Sequence, residues 1–165
     1  MRVRKFVVSL LFSLLMGCGN QGSDMDTPAP EVLEGELRIA GSEPMTMVML
    51  RPVSGGEEIR LQGAMVEELR RLGGVVVAVR GQMGESQMQG FDVTSYEVTS
   101  VEGRRPSVGT VVSRDGGLWL DGEASVRLEN VPAGLRSRVG AKVWVLGTVV
   151  DGVLRLQSYG VIREP

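Results

Sequence analysis

From Val32 onward, short runs of β-branched and other apolar residues alternate with Gly-rich breaks, the pattern of an all-β chain. In the first half this pattern predicts strands at 33–41, 45–51 and 57–62. Residues 64–72, AMVEELRRL, break the period of two: Met65, Val66, Leu69 and Leu72 share one face at helical spacing, and Gly73 stops the helix. Residues 74–81 then carry VVVAV, a buried-strand run, and 91–98, FDVTSYEV, form a fifth strand. In the second half, VGTVVSRDGGLWLDG reads as a hairpin turning at Arg114-Asp115-Gly116-Gly117, residues that tolerate the positive φ of tight turns. A stretch with Pro132, Gly134 and Gly140 around a single helical turn follows. The run AKVWVLGTVVDGVLRLQSYGVI then forms a second hairpin at Asp151-Gly152.

The two halves share this order, and they also match in letters. Ile59-Arg60-Leu61 aligns with Val126-Arg127-Leu128, and Leu72-Gly73 with Val139-Gly140. Val77, Val79 and Gly81 align with Val143, Val145 and Gly147 after a one-residue gap, and Tyr96 and Val98 with Tyr159 and Val161. Two copies of one small domain are expected, at 32–103 and 104–165. Pro106 and the charges Arg104 and Arg105 interrupt the strand pattern between them. Five strands with a helix between the third and fourth resemble the OB-fold, a small Greek-key barrel. The resemblance implies an all-β chain with one short helix, folded as tandem OB-like barrels. Copies of about 60–70 residues are small for independent stability, so they should pack on each other.

Before the first copy the pattern changes. Residues 1–5 are basic, 6–15 (FVVSLLFSLL) are apolar, and Met16-Gly17-Cys18 follows, the layout of a secretory signal peptide. The apolar run is too short for the roughly 20 residues of a membrane-spanning helix. Leu15-Met16-Gly17-Cys18 resembles the lipobox of bacterial lipoproteins, with Met at −2 where Ala or Ser is usual. The resemblance implies cleavage between Gly17 and Cys18, acylation of the Cys18 thiol and of the new amine, and a membrane anchor of several acyl chains. Gly19, at the position after Cys18, implies the periplasmic face of the outer membrane if the cell is Gram-negative. Residues 18–31 then form the lipidated Cys and a polar, Pro-containing tether, reaching about 20 Å as a random coil.

Composition removes several functions. The chain has 165 residues, no His and one Cys, so the commonest acid–base group is missing and no intramolecular disulfide can form. Removing 1–17 takes Arg2, Arg4 and Lys5 and leaves 15 basic against 20 acidic side chains, a charge of −5. Nucleic-acid binding is therefore not expected. Lys142 is then the one remaining lysine, and no Ser-x-x-Lys pair exists. Asp115, Asp121 and Asp151 each precede Gly, as turns alone would select. Glu57-Glu58 and Glu67-Glu68 read as strand-end and helix-surface charges, with Glu67 four residues before Arg71. The chain is expected to be no enzyme and to need no cofactor.

Two features remain as candidate sites. On a strand, Met45, Met47 and Met49 share a face, and thioethers suit Cu(I). The spacing of Met47 and Met49 resembles the paired methionines of small periplasmic copper carriers with an OB-like barrel. The His those carriers use is absent, and neither Trp119 nor Trp144 lies in the matching local motif. Alternatively, the methionines fill the core or a plastic surface. The second feature is the loop 82–90, with Gln82, Met83, Glu85, Gln87 and Met88, longer than the turn 150–152 in copy two. OB-like barrels often bind through this loop and the first one, here 41–44. Arg38, Arg51 and Arg60 lie on or beside the strand face the loop overhangs, where they could contact an acidic or peptide ligand. The expected function is a lipid-anchored envelope module that binds a protein, peptide or glycan, with Cu(I) handling as the alternative.

Overall fold

The computed structural model describes residues 29–42, 44–84 and 90–165. The lipobox, most of the tether, and Glu85, Gln87 and Met88 lie outside these residues. The first half forms β1 (Glu31–Ala40), β2 (Met47–Pro52), β3 (Ile59–Gln62), α1 (Val66–Leu69), β4 (Val76–Met83) and β5 (Phe91–Ser100). The second forms β6 (Ser107–Arg114), β7 (Gly117–Gly122), β8 (Ser125–Glu129), α2 (Ala133–Arg136), β9 (Lys142–Val150) and β10 (Val153–Arg163). Both sheets close: β1-β2-β3-β5-β4 returns to β1, and β6-β7-β8-β10-β9 returns to β6. In each barrel one parallel ladder, β3 with β5 or β8 with β10, joins otherwise antiparallel strands.

Alternation along each strand explains the barrels. In β1 and β2, Leu37, Val48 and Leu50 point inward and are fully buried, while Arg38, Met47 and Arg51 point out. Val111, Leu120, Val143 and Val145 do the same in the second barrel. The predicted helix is shorter than its pattern suggested. Four α-helical residues give way to a 3-10 turn at Arg70–Leu72, and Leu69 and Leu72 are both fully buried beneath it. A second short helix, α2, stands where a single turn was expected, so the described residues hold two short α-helices rather than one. Both hairpin turns have the positive φ foreseen, at Asp115-Gly116 and Asp151-Gly152. Asp121 lies instead inside β7.

The internal match is exact in register at most of its positions. Tyr96 pairs Val79 and Tyr159 pairs Val145; Val98 pairs Val77 and Val161 pairs Val143. The glycine after the helix needs correction. Gly74 donates to the Leu37 carbonyl and Leu37 to the Val75 carbonyl, at 2.7 and 2.9 Å; Gly140 and Val111 repeat the pair at 2.8 and 2.9 Å, through Ala141. Gly74 (φ 80°) and Gly140 (φ 97°) both occupy the left-handed region. Gly74, not Gly73, is thus the counterpart of Gly140, and the one-residue gap falls before it, between Leu61 and Gly74. The boundary is the turn at Glu102-Gly103, both at positive φ, closed by a bridge between Val101 and Arg104.

The barrels share apolar contacts. Leu146 of β9 and Ile162 of β10 are buried within the first barrel's core cluster, and Val108 and Trp144 pack against it. Trp144 faces Gly160 across the sheet, and a Cβ at Gly160 would collide with the indole. β10 contacts both α1 and the 3-10 turn.

Gly140→Ala should lower unfolding stability by about 1–2 kcal/mol, the cost of a left-handed L-residue. Gly73→Ala, with space at its Cβ and an ordinary φ, should change it by less than about 0.5 kcal/mol. Urea denaturation of the two variants side by side distinguishes these values.

Candidate functional site

The outer face of the first barrel assembles three of the expected residues. Met49 of β2 pairs Arg38 of β1 on one side and Arg60 of β3 on the other, forming a row across three strands. Arg51 lies two residues along β2 on the same side. Glu58, just before β3, bonds Arg38 at 3.0 Å and lies 3.4 Å from Arg51, so these two guanidiniums share one carboxylate. Among the described residues, no carboxylate pairs with Arg60. Gly90, which closes the 84–90 loop, packs against the Arg60 backbone, and Gly84 donates to the Gly90 carbonyl at 2.8 Å. The base of the loop therefore stands beside Arg60. Met83 is 46% exposed at the end of β4, next to Gln82.

The methionine stripe is on the surface. Val48 and Leu50 fill the core, leaving Met47 exposed and Met49 half-buried on the outer face. Met45 precedes β2 and is 78% exposed, so the strand carries two of the three methionines. Among the described residues, no group of three His, Cys, Asp or Glu side chains is placed to hold a metal ion. No helix among them is long and apolar enough to cross a membrane.

A polar cluster that sequence reasoning missed sits where the barrels meet. Glu68 of α1 accepts Lys142 Nζ of β9 at 3.0 Å and Arg163 Nη1 of β10 at 3.2 Å. The Tyr96 hydroxyl of β5 donates to Glu68 through a short bond and accepts from Lys142 at 3.3 Å. Lys142 also lies 4.8 Å from the centre of the Tyr96 ring. Burial alone would raise the Glu68 carboxyl. The bonds from Tyr96 and Lys142, with the charges of Lys142 and Arg163, outweigh it and hold the carboxyl below its ordinary value. Burial pushes the Tyr96 hydroxyl well up, reinforced by its bond to Glu68 and that carboxylate's charge.

Helical spacing made Glu68 a surface charge, because the partners that bury it come from β5, β9 and β10. The available signal was Lys142, alone after residue 17 in lacking another lysine. The expected Glu67–Arg71 pair is replaced. Glu67 pairs with Arg70 at 3.4 Å, since the 3-10 turn brings positions three apart together, and Arg71 reaches Glu164 instead.

Beside this cluster, a groove of about 630 Å³ runs between the barrels, lined by Tyr96, Val98, Val108, Val126, Val149 and the Lys142 stem among others. Glu97, Arg105, Glu123 and Lys142 set charges of both signs among its apolar lining.

These features define a class, a protein of two closed β-barrels joined through a shared core and a half-buried ionic cluster. No family model matches the chain, and no curated protein or solved structure matches it.

The Glu68 carboxyl titrates below its unfolded value of 4.5, so its stabilisation is present above that pH and is lost as the pH falls through the folded value. Glu68→Gln should cost about 1.5–3 kcal/mol at pH 7, the range for hydrogen bonds to charged groups. It should also flatten the acid limb of the stability profile below pH 4.5. Thermal unfolding of both proteins from pH 7 to pH 3 measures both effects.

Proposed function

We propose that this protein is a lipid-anchored module of a bacterial cell envelope that binds a protein, peptide or glycan partner without catalysis. The observation that carries the reading is the Arg38–Met49–Arg60 row running to the base of the 84–90 loop. A convex strand face with cations and soft apolar side chains, beside a loop longer than its counterpart, suits recognition through side chains. The strand order 1-2-3-5-4, with a helix between the third and fourth strands, supports reading each barrel as an OB-like Greek key, a fold that binds on this side. The lipobox-like Leu15–Cys18 supports the anchor, and the acidic balance beyond it argues against nucleic acid.

The outward placement of exposed Met47 and half-buried Met49 favours Cu(I) handling as a second reading, because thioethers at alternate strand positions on one outer face suit a soft cation.

Cells grown with labelled palmitate should label the protein at Cys18, and Cys18→Ser should abolish the label. A photo-crosslinking residue at Met83 in intact cells should capture one discrete species, and Arg60→Ala should reduce the yield severalfold; an unchanged yield counts against this face. Competition with a Cu(I) chelator should show a Met47→Leu/Met49→Leu double variant losing affinity if the second reading holds, and no difference if it fails.

A further inference from the structure

The duplication allows the two outer faces to be compared position by position. Leu37 pairs Leu50 in the first barrel as Val111 pairs Leu120 in the second, and Leu37 and Val111 make the same bonds to the post-helix backbone. One step along the strands, Arg38–Met49–Arg60 therefore corresponds to Val112–Trp119–Arg127. The third-strand arginine is kept. The central methionine becomes a tryptophan.

The decisive difference is one residue before that strand's first inward side chain. There the first barrel has Glu58 and the second has Ser125. Glu58 places one carboxylate between Arg38 and Arg51. Ser125 Oγ accepts a bond from Arg114 Nη2 at 2.9 Å but supplies no charge. The Arg114 guanidinium lies 4.3 Å over the Trp119 ring, while Trp119 Nε1 donates to the Arg114 carbonyl at 3.1 Å and fixes the indole. Arg127 faces Trp119 from the next strand, its guanidinium directed toward Gly117.

Among the described residues, no carboxylate is within ion-pair distance of Arg127. Arg114 has only Asp115, at 4.0 Å and itself 81% exposed. Glu129 is engaged by Arg155 at 2.8 Å. Asp121 is on this face, paired across the sheet with Ser125, and makes no ion pair with either arginine. On the first face one carboxylate, Glu58, serves both Arg38 and Arg51. On the second, Arg114 lies over the Trp119 indole and Arg127 faces it from the next strand, neither with a carboxylate closer than 4.0 Å among the described residues.

We propose that the outer face of β6, β7 and β8 docks an acidic peptide segment of a partner protein, with carboxylates bound by Arg114 and Arg127 on either side of Trp119. Guanidinium forks match carboxylates bidentately, and β6 and β8, on the two sides of β7, set the spacing between them. A peptide is favoured over a glycan because Arg114 covers the indole face on which a sugar ring would stack. The chain's acidic excess elsewhere is screened beyond about 8 Å at physiological salt, so the local cations govern the encounter. The site is independent of the Arg60 face, though it shares the reading of the protein as a binding module.

The test uses detergent-solubilised full-length protein and a fluorescein-labelled peptide of alternating Glu and Ala, followed by anisotropy. Ser125→Glu restores the missing carboxylate and should weaken binding about tenfold. Arg127→Gln should weaken it severalfold, and Arg80→Gln, at an exposed arginine of β4 outside both faces, should leave it unchanged. Glu58→Ser should create a second, weaker site on the first barrel. Arg127→Gln decides the matter if Ser125→Glu lowers the thermal midpoint. No binding by the parent protein, a Ser125→Glu affinity within twofold of the parent in a protein of unchanged midpoint, or equal loss in Arg80→Gln would overturn the proposal. Tighter binding of a uronic-acid oligosaccharide at these residues would overturn the peptide assignment. Crosslinking at Met83 reads only the first barrel, so the two readings fail separately.

Discussion

Each five-stranded barrel leaves a flank that its own strands cannot cover, and the covering of one flank by the other barrel is the constraint on which the rest of the molecule depends. Leu146 and Ile162 grow from the second barrel yet are buried in the core of the first. A domain of about 60 residues buries too small a share of its surface to be comfortably stable alone, and one cysteine offers no intramolecular disulfide. Packing has to supply what covalent staples supply elsewhere. The indole of Trp144, seated on Gly160 of its own barrel, adds to that packing by lying against the first barrel's core.

The polar cluster follows from this contact. Once the barrels meet, Glu68 loses water, and it remains ionised because Lys142, Arg163 and Tyr96 converge on it from three strands. Removing one partner leaves the others poorly solvated, so the cluster specifies one relative placement of the barrels as well as stabilising it. Leu146 of β9 and Ile162 of β10 are thereby committed to the interface. The faces of β1–β3 and of β6–β8 remain open. Closed barrels expose little strand edge, so recognition falls to side chains and loops.

How much of this could be read from the sequence depended on the range of the interaction. Alternation such as Leu37–Arg38 and Val48–Met49–Leu50 depends on near neighbours, and it placed the strands to within a residue or two. Asp115-Gly116 and Asp151-Gly152 announced their turns for the same reason. The helix was overextended because Leu72 has helical spacing but is held by the barrel in a 3-10 turn. Gly73 was chosen over Gly74 because letters do not record φ. Arg38, Arg51 and Arg60 were grouped correctly on one side, yet Glu58 as their shared partner was not foreseen. Glu68 was misjudged since its partners are 28, 74 and 95 positions away.

The closing ladders differ between the barrels. The first is joined only at Leu61–Phe91 and Gln62–Asp92, whereas the second continues from Val153–Arg127 to Arg155–Glu129. A parallel seam so brief is the place where the first barrel unzips most readily, and amide protons of β3 should exchange with solvent ahead of those in β8. Arg60 sits on that seam. Any molecule gripping it would tie the two strands together and would be felt as slower breathing of the whole barrel.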